Sequence, residues 1–447
     1  MGELGLDVSQ TAPTIPTSDA RDPRHSGSHL NRDPSWALNY SHLDPFYRRA
    51  CLALGLATIA VGLYYQFGLW QLDANGFTLV GKRLPYWDFS NLWGGSVMAL
   101  QGHVDYLFDA EAYRRALDAI FSKQLPLQEW SYPPHLLLIG VPLALLPIWL
   151  AYLVWSLGTL FAFHLALKHF RLPPLAHVFV LLNPAIWSNQ VFGQNGALTA
   201  ALLLAGLTNA RARPVLAGAF FGLLTIKPHL GVLVPFALLA SRNWTAIASA
   251  CMTAAILFVV TGLCFGFDVW PKFLIDTRQI MTTIMEHPYP QAYHTHAATV
   301  FVTMRSLGAD LPLAYAAQLA ITALAAASVA WLWRPANPLD DLSRAAITAV
   351  LAILVTPYGY THDTAPLFVA IVWFLLWDKR PNVIFLAAIW VAPFVAPSFH
   401  KIGFSAGSIA PLTFAIYLMV RYGWQPAVRP GALGEGDVRM MPELKAS

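Results

Sequence analysis

Hydrophobic and polar positions follow one another along this chain in long blocks. Apolar runs recur between residues 50 and 420, several of them about twenty residues long, and polar stretches separate them. About twenty apolar residues are enough for a helix to cross a bilayer. A transmembrane barrel would show short alternating segments instead. The pattern predicts an all-α polytopic membrane protein with roughly twelve transmembrane helices.

The distribution of positive charge predicts the orientation of these helices. Arg48 and Arg49 precede the first run, and the short loops on the same side of the predicted membrane hold most of the other Lys and Arg residues. Positive loops favour the cytoplasm, so both chain ends are expected there. The predicted crossings lie at about 50–70, 147–167, 174–188, 196–209, 214–226, 230–241, 245–265, 311–333, 345–355, 364–377, 382–396 and 404–420.

The blocks also divide the chain into regions. Residues 1–45 are polar and rich in Pro, Ser and Asp, which predicts a disordered cytoplasmic tail. Residues 46–422 form the expected transmembrane domain, with long outer loops at about 71–132 and 266–310, and residues 423–447 form a second cytoplasmic tail.

Within the first outer loop, residues 91–101 and 109–121 have the pattern of short amphipathic helices that lie along a membrane surface. The apolar residues 133–146 are too few for a crossing and predict a re-entrant or interfacial helix.

Composition supports a membrane protein and narrows its chemistry. The chain is 56% hydrophobic and 12% charged, with a mean hydropathy of +0.50, whereas soluble proteins carry about twice that charge. The net charge of +4 is mild. The three cysteines have no metal-ligand spacing and predict no disulfide framework. No P-loop, GxSxG or GxGxxG motif stands in a suitable context.

Asp88 is the first candidate for chemistry, in the polar segment RLPYWDFSN at residues 83–91. A carboxylate beside aromatic rings at a membrane edge can have a tuned pKa, and an ionised one can act as a general base toward a hydroxyl group. A helix cap or a solvated loop acid is the ordinary alternative. Tyr86 and Asn91 flank Asp88 and are candidate substrate-binding residues.

Two cationic candidates are predicted at the same outer face. Lys227 lies with Pro228 between two short apolar segments, so its turn is expected at membrane depth beside a wet cavity, where it would suit a phosphate. His362 lies in a Pro- and Gly-broken turn and could hydrogen-bond a phosphate. The alternatives are a lysine whose amine reaches the interface and an ordinary interfacial histidine.

The remaining candidates are neutral. Gln194 and Asn195 lie between two opposed crossings and offer donors and acceptors for hydroxyl groups, or act as a helix cap. His294 and His296 are candidate substrate-binding residues, because two histidines without a third ligand make a weak metal site. Tyr132 precedes two prolines and is by itself only a helix start.

Placement at the outer face limits the substrates. The chain has no room for a soluble nucleotide-binding domain, and nucleotide sugars are not expected outside the cell. An enzyme here therefore needs an activated substrate delivered by lipid, and polyprenyl-phosphate sugars meet that need. We expect no metal, no cofactor and no nucleic-acid partner, whereas membrane lipid and a glycan or glycolipid acceptor are expected partners.

In their order, these motifs resemble glycosyltransferase family 87, whose known members include polyprenyl-phosphate-mannose-dependent α-(1→2)-mannosyltransferases of the GT-C superfamily. The resemblance spans roughly residues 50–420. It rests on Asp88-Phe89, Gly102, Asp105-Tyr106, Tyr132-Pro-Pro134, Gly193-Gln-Asn195, Lys227-Pro228 and Thr356-Pro357 followed by His362.

The resemblance implies a GT-C fold with the catalytic acid in its long first outer loop. It implies that Asp88 is the catalytic Asp, that Lys227 is the lysine of the Lys-Pro motif, and that His362 is the histidine of the following turn. It further implies an inverting reaction. Three departures stand out: Thr356 replaces the usual serine, the chain carries the 45-residue polar tail, and the stretch from His294 to His296 replaces an Asn-Gln-Ser-like one. The last of these leaves the acceptor open.

The sequence therefore predicts a hexosyltransferase of the cytoplasmic membrane, with mannose as one candidate sugar and the active site facing outward. Two other functions stay open. A transporter or flippase of lipid-linked sugars would be expected to show internal repeats and polar residues at the centres of the crossings. A non-catalytic envelope-assembly protein would not need Asp88.

Overall fold

The computed structural model describes residues 42–126 and 128–424. This part of the chain is helical, and it contains two isolated β-bridges but no strand. The polar tails predicted at residues 1–45 and 423–447 fall almost wholly outside the described residues.

Nineteen α-helices are numbered here in chain order along the described residues. Their bounds are α1 Pro45–Leu69, α2 Trp87–Leu100, α3 Ala110–Phe121, α4 Leu137–Ala144, α5 Ile148–Leu167, α6 Pro174–Leu181, α7 Pro184–Phe192, α8 Gly196–Asn209, α9 Pro214–Leu223, α10 Val234–Ala240, α11 Trp244–Phe265, α12 Val269–Lys272, α13 Arg278–Glu286, α14 Val300–Ser306, α15 Leu311–Leu332, α16 Asp341–Ile353, α17 Ala365–Trp377, α18 Val383–Val395 and α19 Ile409–Leu418.

Five helical segments of the described chain are long and apolar enough to cross a membrane. The other apolar helices there have 10–17 residues. The predicted crossing at 174–188 is divided by Asn183 and Pro184 into α6 and α7, because Asn183 caps a new helix. The prediction of twelve crossings is therefore not confirmed. The five segments are Pro45–Leu69, Ile148–Phe170, Trp244–Phe265, Leu311–Leu332 and Val383–Ile402.

Many helices begin at an Asp or Asn whose side chain accepts a hydrogen bond from a backbone N–H of the first turn. Asp44 does so for α1, Asn183 for α7 and Asp310 for α15, each with a proline in the first two helical positions. A proline costs nothing there, because the first N–H groups of a helix have no partner within the helix.

The centre of the helical body consists of α8 and α17, which are buried on nearly all sides. Helix α8 packs against α5, α9 and α16, and α17 packs against α16. Helices that are apolar all round are expected at such central positions. By contrast, α11 exposes large apolar side chains such as Met252 and Leu263. The turns that precede α8 and α17 carry most of the candidate site.

Candidate active site

Asp88 lies in the first turn of α2, which begins four residues before the predicted start at residue 91. Tyr86, two residues before Asp88, has a left-handed backbone conformation with φ of 46°. This conformation costs about 1–3 kcal/mol in a residue other than glycine. The Tyr86 ring stacks on Tyr152 with 4.7 Å between ring centroids, and Trp70 packs edge-on against it. This aromatic packing fixes the direction in which the chain enters α2, and thereby the position of Asp88.

The turn between α7 and α8 brings Gln194 to Asp88. Gly193 ends α7 with φ of 69°, and a Cβ there would lie 2.4 Å from Cβ of Phe89, so only glycine fits. The indole of Trp155 donates a hydrogen bond to the Gly193 carbonyl at 3.1 Å. The side-chain amide of Gln194 then lies beside the Asp88 carboxylate, where it favours the ionised form.

The surroundings of Asp88 favour a stronger base than an ordinary aspartate. Burial raises the pKa of the Asp88 carboxyl above its usual value, because removal from water disfavours the charged form. The Gln194 side-chain amide and the positive charges of Arg83 and Lys227 lower this pKa without cancelling the effect of burial. The carboxylate is thus desolvated but still has partners for its ionised form.

Lys227 lies in the break between α9 and α10, as Pro228 predicted. A residue before proline avoids the helical conformation, and Lys227 has φ of −142° and ψ of 73°. Short 3₁₀ turns, Leu224–Ile226 and Pro228–Gly231, stand on either side of it. The break turns the lysine side chain away from the helix axis and into the protein.

Inside the protein, the Lys227 amine forms an ion pair with Asp363 and donates a hydrogen bond to Oδ1 of Asn195 at 3.2 Å. Both charged side chains are buried. The other carboxylate oxygen of Asp363 accepts a hydrogen bond from the Tyr360 backbone N–H at 3.2 Å. Three separate turns of the chain therefore meet at this lysine.

His362 lies beside that ion pair, in the 3₁₀ turn Thr361–Thr364 before α17. Its ring stacks on Tyr360 with 5.5 Å between ring centroids, and its Nε2 is 3.8 Å from Oδ2 of Asp363. Gly196 packs so closely against the His362 carbonyl that a Cβ would lie 2.0 Å from the oxygen.

Asp88 and Lys227 line two different cavities, which have part of their lining in common. The first, of about 310 Å³, is lined by Asp88, and the second, of about 240 Å³, is lined by Lys227. Asp88 and Lys227 thus face two compartments with a common wall. Seven residues line both cavities: Ser131, Tyr132, Gln194, Met281, Tyr358, Tyr360 and His362.

The other residues predicted to bind substrate line different cavities. Asn91 lines the first cavity, where its Oδ1 accepts a hydrogen bond from the Tyr113 hydroxyl. Asn195 lines the second. Tyr86 lines a third cavity, of about 210 Å³, which shares Arg83 and His296 with the first.

The two histidines of the loop at 287–299 point in different directions. His296 lines the first cavity, and burial lowers its pKa to about 4, so its ring is neutral at pH 7. His294 lines none of these three cavities, and its Nδ1 accepts a hydrogen bond from the Gln291 backbone at 3.0 Å. In the described chain, no group of three or more His, Cys, Asp or Glu residues could hold a metal ion.

Sequence reasoning left several cavity residues unassigned. Asp363 directly follows a candidate residue, and a buried lysine needs a counter-charge, so this carboxylate was a recognisable partner for Lys227. Arg83 belongs to the polar segment around Asp88. The aromatic residues Trp87, Tyr358 and Tyr360 carry no separate signal, because tyrosines and tryptophans are common at membrane interfaces.

The family model of glycosyltransferase family 87 matches residues 130–357, which is just over half of the chain. The chain belongs to glycosyltransferase family 87. No curated protein and no solved structure gives a match.

Membership of family 87 indicates a membrane glycosyltransferase, in agreement with the apolar helices, and it is consistent with the GT-C superfamily. The resemblance found in the sequence motifs is thereby confirmed. Lys227 and Gln194 lie inside the matched residues, whereas Asp88 precedes them and His362 follows them. Asp88 and His362 belong to the candidate site because they line its cavities.

Proposed function

We propose that this family 87 protein transfers a hexosyl group, such as mannosyl, from a polyprenyl phosphate to a hydroxyl of a glycan or glycolipid. One observation carries the proposal: Asp88 and Lys227 line two cavities that share a wall. A base and a cation so arranged suit the two ends of a glycosyl transfer, where a hydroxyl loses a proton and a phosphate departs.

The Asp88 cavity is the acceptor side. Trp87, Tyr293 and Tyr358 line it together with Asn91 and Gln128, and aromatic faces beside amide groups suit a sugar ring. The ionised Asp88 takes the proton of the acceptor hydroxyl while that oxygen bonds to the anomeric carbon. The bond between this carbon and the phosphate oxygen breaks, and the configuration inverts.

The Lys227 cavity is the donor side. Its lining combines Lys227, His362 and Asn195 with apolar residues such as Ile226 and Phe273, which suits a phosphate attached to a lipid chain. As the glycosidic bond breaks, negative charge grows on the departing phosphate. The Lys227 amine and a hydrogen bond from His362 stabilise this charge, and no cofactor is required.

The proposal includes the membrane arrangement of the enzyme. In this proposal the protein is a GT-C bundle in the cytoplasmic membrane, and the Lys and Arg residues of its short loops favour an orientation with both termini inside. Both cavities then face outward, where a lipid-linked sugar is accessible and a nucleotide sugar is not.

Incubation of purified protein with radiolabelled polyprenyl-phosphate mannose or glucose and a membrane glycolipid extract tests the proposal. We expect labelled product and lipid phosphate in equal amounts from the wild-type protein, and at least about a hundredfold less of both from Asp88→Asn in the same time. A wild-type protein that consumes none of the donors, or that moves them across a vesicle membrane without cleavage, would rule the proposal out. Near-normal turnover by Asp88→Asn would refute the role of its carboxylate.

A further inference from the structure

The Lys227 cavity has a second polar wall, which comes from the segment between α11 and α14. There the chain forms a π-helical turn, Phe273–Thr277, and continues into α13. π-Helical turns in otherwise α-helical segments are rare and occur often at functional sites. Five residues of this segment line the cavity: Phe273, Leu274, Thr277, Arg278 and Met281.

Three buried polar atoms on the lining of this cavity have no hydrogen-bond partner among the described residues. They are Oγ1 of Thr277, Nδ2 of Asn195 and Nε2 of His229. Buried polar groups are nearly always paired, so each exception needs an explanation. A hydroxyl, an amide N–H and an imidazole nitrogen can each donate a hydrogen bond, and three such groups around one cavity suit an anion with several acceptor oxygens.

Arg278 adds a positive charge to the cavity, and no acidic side chain of the described residues forms an ion pair with it. Lys227 already pairs with Asp363, and Lys272, six residues before Arg278, pairs with Asp268 at 2.7 Å. Arg278 is exposed, lines the Lys227 cavity, and shows no ion pair or hydrogen bond with a described side chain. A guanidinium so placed can offer two parallel hydrogen bonds to a phosphate.

The apolar part of the same segment suggests a route for a lipid chain. Leu274 and Ile275 are 63% and 64% exposed, and Leu274 also lines the cavity. Helix α13 has one apolar and one polar face and no buried residue, as is typical of a helix lying on a membrane surface. The cavity thus has polar donors inside and exposed apolar residues at its edge.

We infer that Thr277 and Arg278 form the second half of the donor phosphate site, opposite Lys227, and that the prenyl chain leaves the cavity past Leu274. This inference rests on the proposed function, because it takes a polyprenyl phosphate as the ligand. Thr277 donates its unpaired hydroxyl to one phosphate oxygen, and Arg278 closes over the phosphate from the membrane surface.

Binding of farnesyl phosphate and of farnesol to the purified full-length protein tests the inference. Both probes carry the same short prenyl chain, and they differ by the phosphate. We compare the wild-type protein with Arg278→Gln, Arg278→Lys and Thr277→Val. The matched control is Lys272→Gln, which removes a cation from the same segment but outside the cavity.

We expect the wild-type protein to bind farnesyl phosphate more tightly than farnesol. Arg278→Gln weakens farnesyl phosphate binding by about tenfold or more, as for the loss of a charged hydrogen bond, and leaves farnesol binding unchanged. Arg278→Lys has an intermediate affinity, Thr277→Val has a smaller loss, and Lys272→Gln resembles the wild type.

The two hypotheses fail differently in this experiment. If the wild-type protein binds farnesyl phosphate tightly and Arg278→Gln binds it equally well, the inference is wrong and the proposed function stands. If the wild-type protein does not prefer the phosphate, the proposed donor class fails and the inference fails with it. Melting temperatures of all variants, measured in parallel, identify any loss of affinity that comes from unfolding.

Discussion

Lys227 and Asp363 form a buried ion pair although they lie 136 positions apart in the chain. The pair connects the break between α9 and α10 to the turn before α17. Burying two charges is costly, and their attraction offsets this only when further hydrogen bonds satisfy them. Asn195 and the Tyr360 backbone N–H supply such bonds. The pair therefore stabilises the cavity wall and holds the lysine amine in place.

The first prediction concerns the stability of this pair. Lys227→Met and Asp363→Asn should each lower the melting temperature clearly, because loss of one partner of a buried pair costs about 3–5 kcal/mol. The double variant should recover much of the loss, since neither charge is then left unpaired, and it should still lack transferase activity. Thermal unfolding of the four purified proteins measures this coupling.

An exposed ion pair provides the control for these measurements on Lys227 and Asp363. Arg115 and Glu111 form an ion pair on α3 with side chains 73% and 81% exposed. Arg115→Met should change the stability by less than about 1 kcal/mol, as is usual for a surface pair. If either single variant at the buried pair is as stable as the wild type, the structural role assigned to it is wrong.

Local signals in the sequence predicted much of the fold. The helical pattern at 91–101 and 109–121 corresponds to α2 and α3, and Pro228 predicted the break at Lys227. The number of crossings was not predictable in the same way. Central helices such as α8 have only 14 residues, so their length alone does not show whether they cross a membrane.

The candidate site was predictable as a set of motifs but not as a geometry. Gln194 was a candidate for hydroxyl groups, whereas in the structure its amide acts on the Asp88 carboxylate and lowers its pKa. His294 and His296 lie two positions apart in the 3₁₀ turn Ala292–His296. Only the folded turn determines that His296 lines a cavity while His294 accepts a hydrogen bond within its own loop. Such outcomes depend on contacts between distant segments, which no local pattern reports.

The second prediction separates catalysis from stability at Asp88. Asp88→Asn should lower the transfer rate by about a hundredfold to ten-thousandfold, which is the range for loss of a general base. Its stability at neutral pH should equal or exceed that of the wild type. The raised pKa means that the folded state binds the Asp88 proton more tightly than the unfolded state, so the ionised carboxylate disfavours folding at pH 7.

Steady-state rates and melting temperatures of Asp88→Asn check both halves of this prediction. Glu111→Gln is the control, because it removes an exposed carboxylate from the same long loop, and it should retain the activity of the wild type. A variant at Asp88 that loses activity and unfolds at a much lower temperature would indicate a structural carboxylate instead.

The third prediction is a pH dependence. The rate should rise with pH as Asp88 loses its proton, with a midpoint above the ordinary value of about 3.9 for aspartate. Gln194→Leu removes an amide that favours the ionised form, so the midpoint should move to higher pH. Arg83→Gln removes a nearby positive charge and should move it in the same direction.

Profiles of kcat/KM against pH measure these midpoints. Gln101→Leu alters an exposed glutamine just after α2 and should leave the midpoint unchanged. If the midpoint falls in Gln194→Leu, or is unchanged in both Gln194→Leu and Arg83→Gln, a group other than Asp88 controls the rise of kcat/KM with pH.

The fourth prediction uses the close contact between Gly196 and His362. A Cβ at Gly196 would lie 2.0 Å from the His362 carbonyl oxygen and 2.8 Å from its carbonyl carbon. Both contacts are with backbone, which cannot rotate away, so Gly196→Ala must push the His362 turn from the start of α8. A displacement of about 1 Å costs roughly a hundredfold in rate at an active site.

Gly158→Ala in α5 is the matched control for this substitution. A Cβ at Gly158 would meet nothing within 4 Å, and alanine favours a helix by about 0.5–1 kcal/mol over glycine. The control should therefore keep full activity with equal or slightly higher stability. Steady-state kinetics with a lipid-linked donor compare the two variants. If Gly196→Ala turns over as fast as Gly158→Ala, the position of His362 does not matter to the reaction, and its role at the donor phosphate is refuted.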